Sequence, residues 1–399
     1  MNKNWQYEKI GEIMLVERGG SPRPIKKYLT DSDDGLNWIK ISDATASDKY
    51  IYKTKQKITK EGLHKTRLVK EGDFILSNSM SFGRPYIMKT SGCIHDGWLV
   101  LKEKESSLLD KDFLYHLLGS PYIFQQFDKL AAGSTVRNLN IGLVSSVEIP
   151  IPPLTEQKAI VALLDKAFAK IDQAIANVEK NIVNAQELFQ SKLNDIFSQT
   201  GDGWEEKTLI DVSKEFGRGK SKHRPRNAKI LFGGKYPFVQ TGDIRNSEKY
   251  VTSYSQTYNE TGLAQSKLWQ KGTLCITIAA NIAETAILDF DGCFPDSIIG
   301  LVADDEKASK EFVFYALKYL KTELQAQGKG SAQDNINLGT FKKQLFPFPN
   351  LKKQKESVEI LDELSNRVSL LGKKYKEKIV ELTDLKKSLL QKAFAGELT

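Results

Sequence analysis

Between Pro150 and Phe197 the chain reads PIPPLTEQKAIVALLDKAFAKIDQAIANVEKNIVNAQELFQSKLNDIF. Pro150, Pro152 and Pro153 hold the start extended, because a proline ring fixes φ and disfavours helix in the residue before it. Thr155 is placed to cap a helix beginning just after it. From about Glu156, the residues Leu164, Ile171, Val178 and Ala185 recur every seven positions, interleaved with Phe168, Ile175, Ile182, Phe189 and Ile196. Two apolar rows at this spacing form the seam of a helix that pairs with another helix. At about 1.5 Å per residue, roughly 40 residues span about 60 Å, which is longer than a small domain is wide.

The partner helix is expected in the same chain, the alternative being that each stripe covers the flank of its own domain. Under a shift of 197 residues, Pro347-Phe348-Pro349 follows the pattern of Pro150-Ile151-Pro152. Asn350 is a second candidate cap, and Leu361, Val368, Tyr375, Leu382 and Leu389 repeat the first apolar row. Leu364, Leu371 and Leu385 supply the expected second row. The same shift matches Gly133-Ser134 with Gly330-Ser331 and Asn138-Leu139-Asn140 with Asn335-Ile336-Asn337. Further upstream the shift is 200: Gly62-Leu63 returns as Gly262-Leu263, Gly72 as Gly272, Gly92-Cys93 as Gly292-Cys293, and Asp96 as Asp296. A period this long marks duplicated domains, not stacked solenoid units.

Each copy opens with mixed sequence. Short apolar runs such as Phe74–Leu76, Trp98–Leu101 and Leu274–Ile278, bounded by Gly, Ser and Asp, read as strands. One helical stretch comes next in each copy, carried by Phe113, Leu114, Leu117, Leu118 and Phe124 in the first and by Phe312, Phe314, Ala316, Leu317 and Leu320 in the second. The expected architecture is α+β: two similar α/β domains joined by two long antiparallel coiled-coil helices, with a pseudo-two-fold internal repeat. The antiparallel sense is expected if the halves are related as the subunits of a homodimer usually are. The expected boundaries are 1–150 for the first head, 151–199 for the first helix, 200–347 for the second head and 348–399 for the second helix.

Composition sets outer limits. The 399 residues are 40% hydrophobic, enough for two cores. No apolar run reaches the roughly 18 to 20 residues of a membrane span, and Met1-Asn2-Lys3-Asn4 leads into polar sequence, so a cytoplasmic protein without a membrane partner is expected. A net charge of +8 permits a polyanionic partner, although 50 acidic residues dilute the 58 basic ones. Cys93, Cys275 and Cys293 lack CxxC spacing, and His64, His95, His116 and His223 are scattered, so no metal site is expected and the cysteines read as small buried hydrophobes.

Catalytic constellations are missing. Gly219-Lys220-Ser221 resembles the end of a phosphate-binding loop, but the glycine required five residues earlier is Lys214. Pro295-Asp296 with Asp305-Glu306-Lys307 imitates a nuclease pattern that the first copy does not reproduce. The chain has neither a glycine-rich cofactor loop between strand and helix nor an Asn-Pro-Pro-aromatic or Asp-Pro-Pro-Tyr tetrapeptide. No catalytic residue is assigned.

The succession of head, proline-rich lead-in and long helix, twice over, resembles the specificity subunit of type I restriction-modification enzymes. The resemblance covers essentially the whole chain. It is carried most specifically by Ile151-Pro152-Pro153-Leu154-Thr155-Glu156-Gln157, which opens the first helix, and by Gln391-Lys392-Ala393-Phe394-Ala395-Gly396-Glu397-Leu398, which closes the second. It implies that the heads are target-recognition domains, each reading one half of an asymmetric bipartite site in double-stranded DNA. It further implies that the helices space the heads and recruit two methyltransferase subunits. The chain itself would be non-catalytic and without a cofactor, with S-adenosylmethionine on the methyltransferase partners and ATP on a translocating restriction subunit where one is present.

Two diverged heads can read two different short sequences, and divergence is visible in the basic loops, where contacts with DNA are expected. The first head has Ser21, Arg23, Lys26 and Lys27, and the second has Arg218, Lys220, Lys222, His223, Arg224 and Arg226. Such side chains suit phosphates, and a bidentate Arg also reads guanine. Ser79 and Arg84 lie in a loop that the resemblance associates with the heads, although its counterpart Ala279–Glu284 lacks the basic residue. Ser134, Arg137 and Asn138 in one copy, with Gln333 and Asn335 in the other, are types that bond base edges but also cap turns. Any of these charge runs also reads as plain solvated surface. An adaptor whose heads bind proteins is the alternative from a different class, and a steep salt dependence of duplex binding with one preferred sequence separates the two.

Overall fold

The computed structural model describes residues 5–78, 82–105, 108–131, 138–199, 201, 203–278, 283–326 and 338–398. The chain divides into two compact units, residues 1–179 with 376–399, and residues 180–375. Each unit therefore holds one head, the beginning of the long helix that leaves it, and the end of the other long helix.

In the first unit, a five-stranded sheet runs in the order Met14–Arg18, Trp98–Glu103, Phe74–Ser77, Pro85–Met88, Tyr50–Ile51. Its central strands are buried on both faces, and strand alternation sends neighbouring residues to opposite sides. Phe74, Leu76, Leu99 and Leu101 meet the head's helices, whereas Ile75, Trp98 and Val100 meet Ile39, Val69 and Ile94 of a second five-stranded sheet. An antiparallel ribbon of Gln6–Lys9 with Glu148–Ile151 closes the head where the long helix begins. The second unit repeats the plan. Ser213–Arg218, Ile298–Ala303, Leu274–Thr277, Thr285–Leu288 and Tyr250–Val251 form its central sheet, four strands form the outer one, and Trp204–Thr208 pairs with Leu345–Pro349.

The runs read as strands thus occupy the middle of each core. The helical stretch of the first head departs from expectation: Gly119-Ser120 interrupts it, giving Lys111–Leu118 and Pro121–Ala131. Pro121 cannot continue a helix but starts one readily. Phe124, read as part of the packed face, is 46% exposed. All three cysteines are buried and free, and burial pushes the thiols of Cys93 and Cys293 up to about 11.

The long helices span Leu154–Phe197 and Leu351–Ala395. Thr155 does not cap the first: it lies inside the helix, and the amides of Glu156 and Gln157 bond the Pro153 carbonyl. Asn350 does cap the second, its Oδ1 accepting from the Lys353 amide at 3.0 Å. Asn350→Ala should therefore lower stability by about 1 kcal/mol, while Thr155→Ala should change it by no more than a few tenths. Urea denaturation of both variants checks the contrast.

Leu164 and Ile171 are buried, Val178 and Ala185 half-buried; on the second helix Leu361 is buried and Val368, Tyr375 and Leu382 are half-buried. The expected second row of that helix needs correction, because Leu371 and Leu385 are exposed and Leu364 is only half-buried. The inner row instead consists of Ser365, Gly372, Ile379, Lys386 and Ala393, one residue further on, which is where the 197 shift carries Phe168, Ile175, Ile182, Phe189 and Ile196. Lys386 sits there because its ammonium lies over the face of the Phe168 ring, 5.3 Å from the centroid, and pairs with Asp172, both within the first unit.

One buried side chain fixes each helix to its head. Gln157 is fully buried; its Nε2 donates to the carbonyls of Leu108 and Pro152 at 3.0 and 2.8 Å, and its Oε1 accepts from the Asp110 amide at 2.7 Å. Gln354, at the repeat-equivalent position, is equally buried and makes the same three bonds, to Lys307 and Pro349 carbonyls and the Ser309 amide.

Candidate nucleic-acid interface

The basic loop of each head leaves its strand through a glycine that only glycine can replace. A Cβ on Gly19 would stand 2.1 Å from the His95 carbonyl oxygen, and one on Gly219 2.3 Å from that of Phe294. The amides of these glycines bond Trp98 and Ile298 carbonyls, both at 2.9 Å. The Gly-Lys-Ser at 219–221 is therefore a close main-chain crossing.

The loop is then tied to an aspartate that the repeat preserves. Asp96 accepts from Ser21 Oγ at 2.6 Å and pairs with Arg23 at 3.4 Å, while its main-chain carbonyl accepts from Arg18 Nε and Asn78 Nδ2. The Ser21 hydrogen bond, ahead of the Arg23 charge, holds the Asp96 carboxyl below the usual carboxylate range. In the second head Arg226 pairs with Asp296 at 2.8 Å.

Beside each loop lies a cleft at the same place in the two heads. The first, of about 760 Å³, is walled by Pro22, Ile25, Trp38 and Ile41 and carries Lys40 and His95. The second, of about 680 Å³, is walled by Phe232 and Phe238 and carries Lys229, Gln240, Thr241 and Gln256. Burial depresses the His95 pKa, and its Nδ1 accepts from the Gly97 amide, so the imidazole is neutral at pH 7.

The sequence-derived candidates separate into groups. Ser21 and Arg23 line the first cleft, with Lys26 and Lys27 exposed on the adjoining turn. Arg226 lines the second cleft but is committed to Asp296, and Arg224 folds back on the carbonyls of Ser221 and His223. The amides of Lys222 and His223 donate to Gln265 Oε1, which leaves the Lys222 ammonium outward, and Lys220 and Arg218 are exposed. Arg84 is not brought to the cleft. It pairs with Asp48 in a separate groove of the first unit, of about 710 Å³, lined also by Tyr115, Phe168 and Lys386. Its counterpart Glu284 pairs with Lys321, so the charges are reversed in the second head. Asn138 is exposed, next to Leu139, whose amide bonds the Asn78 carbonyl. Ser79, Ser134, Arg137, Gln333 and Asn335 lie outside the described residues.

Charge-run reasoning missed Lys40, Gln240 and Gln256, because none of them lies in a basic stretch. The signal that finds them is the repeat itself, since the shift of 200 aligns Trp38 with Phe238, Lys40 with Gln240 and Asp43 with Asp243. Among the described residues no group of His, Cys, Asp or Glu is arranged to hold a metal ion, and no helix is long and apolar enough to cross a membrane.

A family profile described as the type I restriction modification DNA specificity domain matches residues 2–181 and again 201–380. Among curated proteins, the putative type I restriction enzyme MjaX specificity subunit of Methanocaldococcus jannaschii is 22% identical over 99% of this chain and 94% of its own length. The EcoKI specificity subunit of Escherichia coli is 23% identical over 74% of this chain and 67% of its own. Among solved structures, a chain from work on complex assembly and conformational transition of the type I R-M system superposes with a TM-score of 0.80 at 21% identity, covering 100% of this chain and 99% of the other. The HsdS subunit from Thermoanaerobacter tengcongensis superposes at 0.60 with 20% identity, covering 100% and 98%. The profile accounts for both heads and most of both helices, and the chain therefore belongs to the type I restriction modification DNA specificity family, with two copies of its domain.

Proposed function

We propose that this chain is the sequence-reading subunit of a type I restriction-modification complex, each head recognising one half of a bipartite, asymmetric DNA site. One observation carries the reading: two heads of one topology place, at repeat-equivalent positions, a basic loop anchored on an aspartate beside a cleft lined by different side chains. Lysines at the rim suit phosphates, which position a protein without specifying sequence, and the unlike cleft walls suit different bases. The long helices space the heads and dock two methyltransferase subunits. S-adenosylmethionine and ATP are assigned to those partners and to a restriction subunit, and this chain is assigned no chemical step. Membership of the DNA specificity family disfavours the protein-binding adaptor.

Exchange of residues 1–150 for the head of another family member tests the reading. Methylation-site sequencing should find one half-site changed and the other retained; a change in both halves, or in neither, would count against it. The Lys220→Ala, Lys222→Ala double variant should weaken duplex binding evenly across sequences. It should also flatten the slope of log affinity against log salt by about 0.9 for each phosphate no longer neutralised. Unchanged affinity at low and moderate salt would remove this loop from the interface.

A further inference from the structure

We propose that positions 40 and 240 are specificity-determining in the two heads, Lys40 reading guanine and Gln240, together with Gln256, reading adenine. The inference rests on the DNA-reading function above and narrows it to named side chains.

The main chain at both positions is held in the same way. The Lys40 amide donates to Asp43 Oδ2 at 3.0 Å and the Gln240 amide to Asp243 Oδ2 at 2.8 Å, while the amides of Asp43 and Asp243 return bonds to the Lys40 and Gln240 carbonyls, both at 3.1 Å. The side chain is what varies, on a backbone held at both positions by the same pair of capping bonds. Rigid presentation of this kind is what base discrimination requires.

Around these positions the two clefts keep a common frame. An aromatic residue stands two places earlier, Trp38 or Phe238, each cross-strand from a glutamine, Gln56 or Gln256. A serine and an aspartate frame the loop in both heads, Ser21 with Asp96 and Ser221 with Asp296. Against this constant frame the residue at 40/240 changes from a cation to an amide. Both side chains line the clefts, and both clefts are rimmed by the basic loops.

The functional groups match base edges. The Lys40 ammonium has no hydrogen bond or ion pair among the described residues, and a cation is the usual partner of guanine O6 and N7. Gln240 Nε2 donates to Gln256 Oε1 at 3.0 Å. With that bond made, the Oε1 of Gln240 is left as an acceptor and the Nε2 of Gln256 as a donor. That pair complements the N6 donor and N7 acceptor of adenine.

The test is methylation-site sequencing of Lys40→Gln and Gln240→Lys variants of the full chain, assembled with its methyltransferase subunits. Each variant should alter one base position in one half-site, the preference between guanine and adenine there shifting roughly tenfold to a hundredfold. An active complex with both half-sites unchanged overturns the assignment of positions 40 and 240 and leaves recognition by the heads standing. Absence of any sequence preference in the unaltered complex would instead sink the DNA-reading function itself. Where a variant methylates poorly, its binding to a set of duplexes, each changed at one base pair, decides the matter. Lost discrimination at a single pair supports the assignment, and an even loss across all pairs overturns it.

Discussion

Replacing Gln157 with leucine is expected to lower the stability of the first unit by about 3 kcal/mol or more. The amide is fully buried and satisfies two carbonyls and one amide hydrogen. A buried polar group left without a partner costs about 1–3 kcal/mol, and leucine would strand the buried Pro152 carbonyl and unpair the part-buried Leu108 carbonyl and Asp110 amide as well. The loss should fall on the junction between head and helix, since Pro152 precedes the long helix and Leu108 and Asp110 precede the helix Lys111–Leu118. Hydrogen exchange should show the ribbon of Gln6–Lys9 with Glu148–Ile151 opening before the central sheet. Gln173→Leu is the control: Gln173 bonds Asn177 on an exposed helix face, so its loss should stay within about 0.5 kcal/mol. Equal effects of the two substitutions would show that the buried amide does not hold the junction. Gln354→Leu should act in the same way on the second unit.

The second large effect is expected from Phe394, near the far end of the chain, on the head that begins it. Phe394 is fully buried in the core of the first unit, its ring 5.4 Å from that of Phe113 and edge-on to it. The repeat-equivalent Phe197 is buried in the second unit against Phe312 and Tyr319. Each long helix thus ends by placing a phenylalanine in the head that it does not leave. Phe394→Ala should destabilise the first unit by about 3–5 kcal/mol, the range for emptying a large buried aromatic site. Residues of the second core, such as Leu274 and Ile276, should keep their exchange protection, and Phe197→Ala should give the converse pattern. If Phe394→Ala left the first head's central strands as protected as before, the second helix would not be part of that head's core.

The duplication, the strand runs of both cores and the first helix's apolar rows are legible in the sequence because each is a matter of spacing. Leu164 and Ile171 recur at a helical period, Phe74–Leu76 alternate across a sheet, and a 197- or 200-residue shift needs no coordinates. Where hydrophobicity alone is consulted, the reading slips. Leu364, Leu371 and Leu385 look like a seam, yet the inner row is Ser365, Gly372, Ile379, Lys386 and Ala393, because burial depends on what faces a residue. A lysine belongs in that row only once Phe168 and Asp172 are known to lie beneath it.

The same division applies to the candidate interface. The basic loops announce themselves by composition, but composition cannot tell an outward Lys222 from an Arg226 already paired with Asp296, some 70 residues away. Gln157 and Gln354 read as ordinary helical polar residues, and only the fold reveals each as a three-bond clamp. Lys40 and Gln240 have no local pattern at all; their importance lies in being the varied side chains within a repeated frame. What sequence determined by itself was the periodic and the duplicated, since spacing along the chain is spacing in a helix or strand. What the tertiary structure alone decided was which polar groups are buried, paired or left free, because those properties come from neighbours distant along the chain.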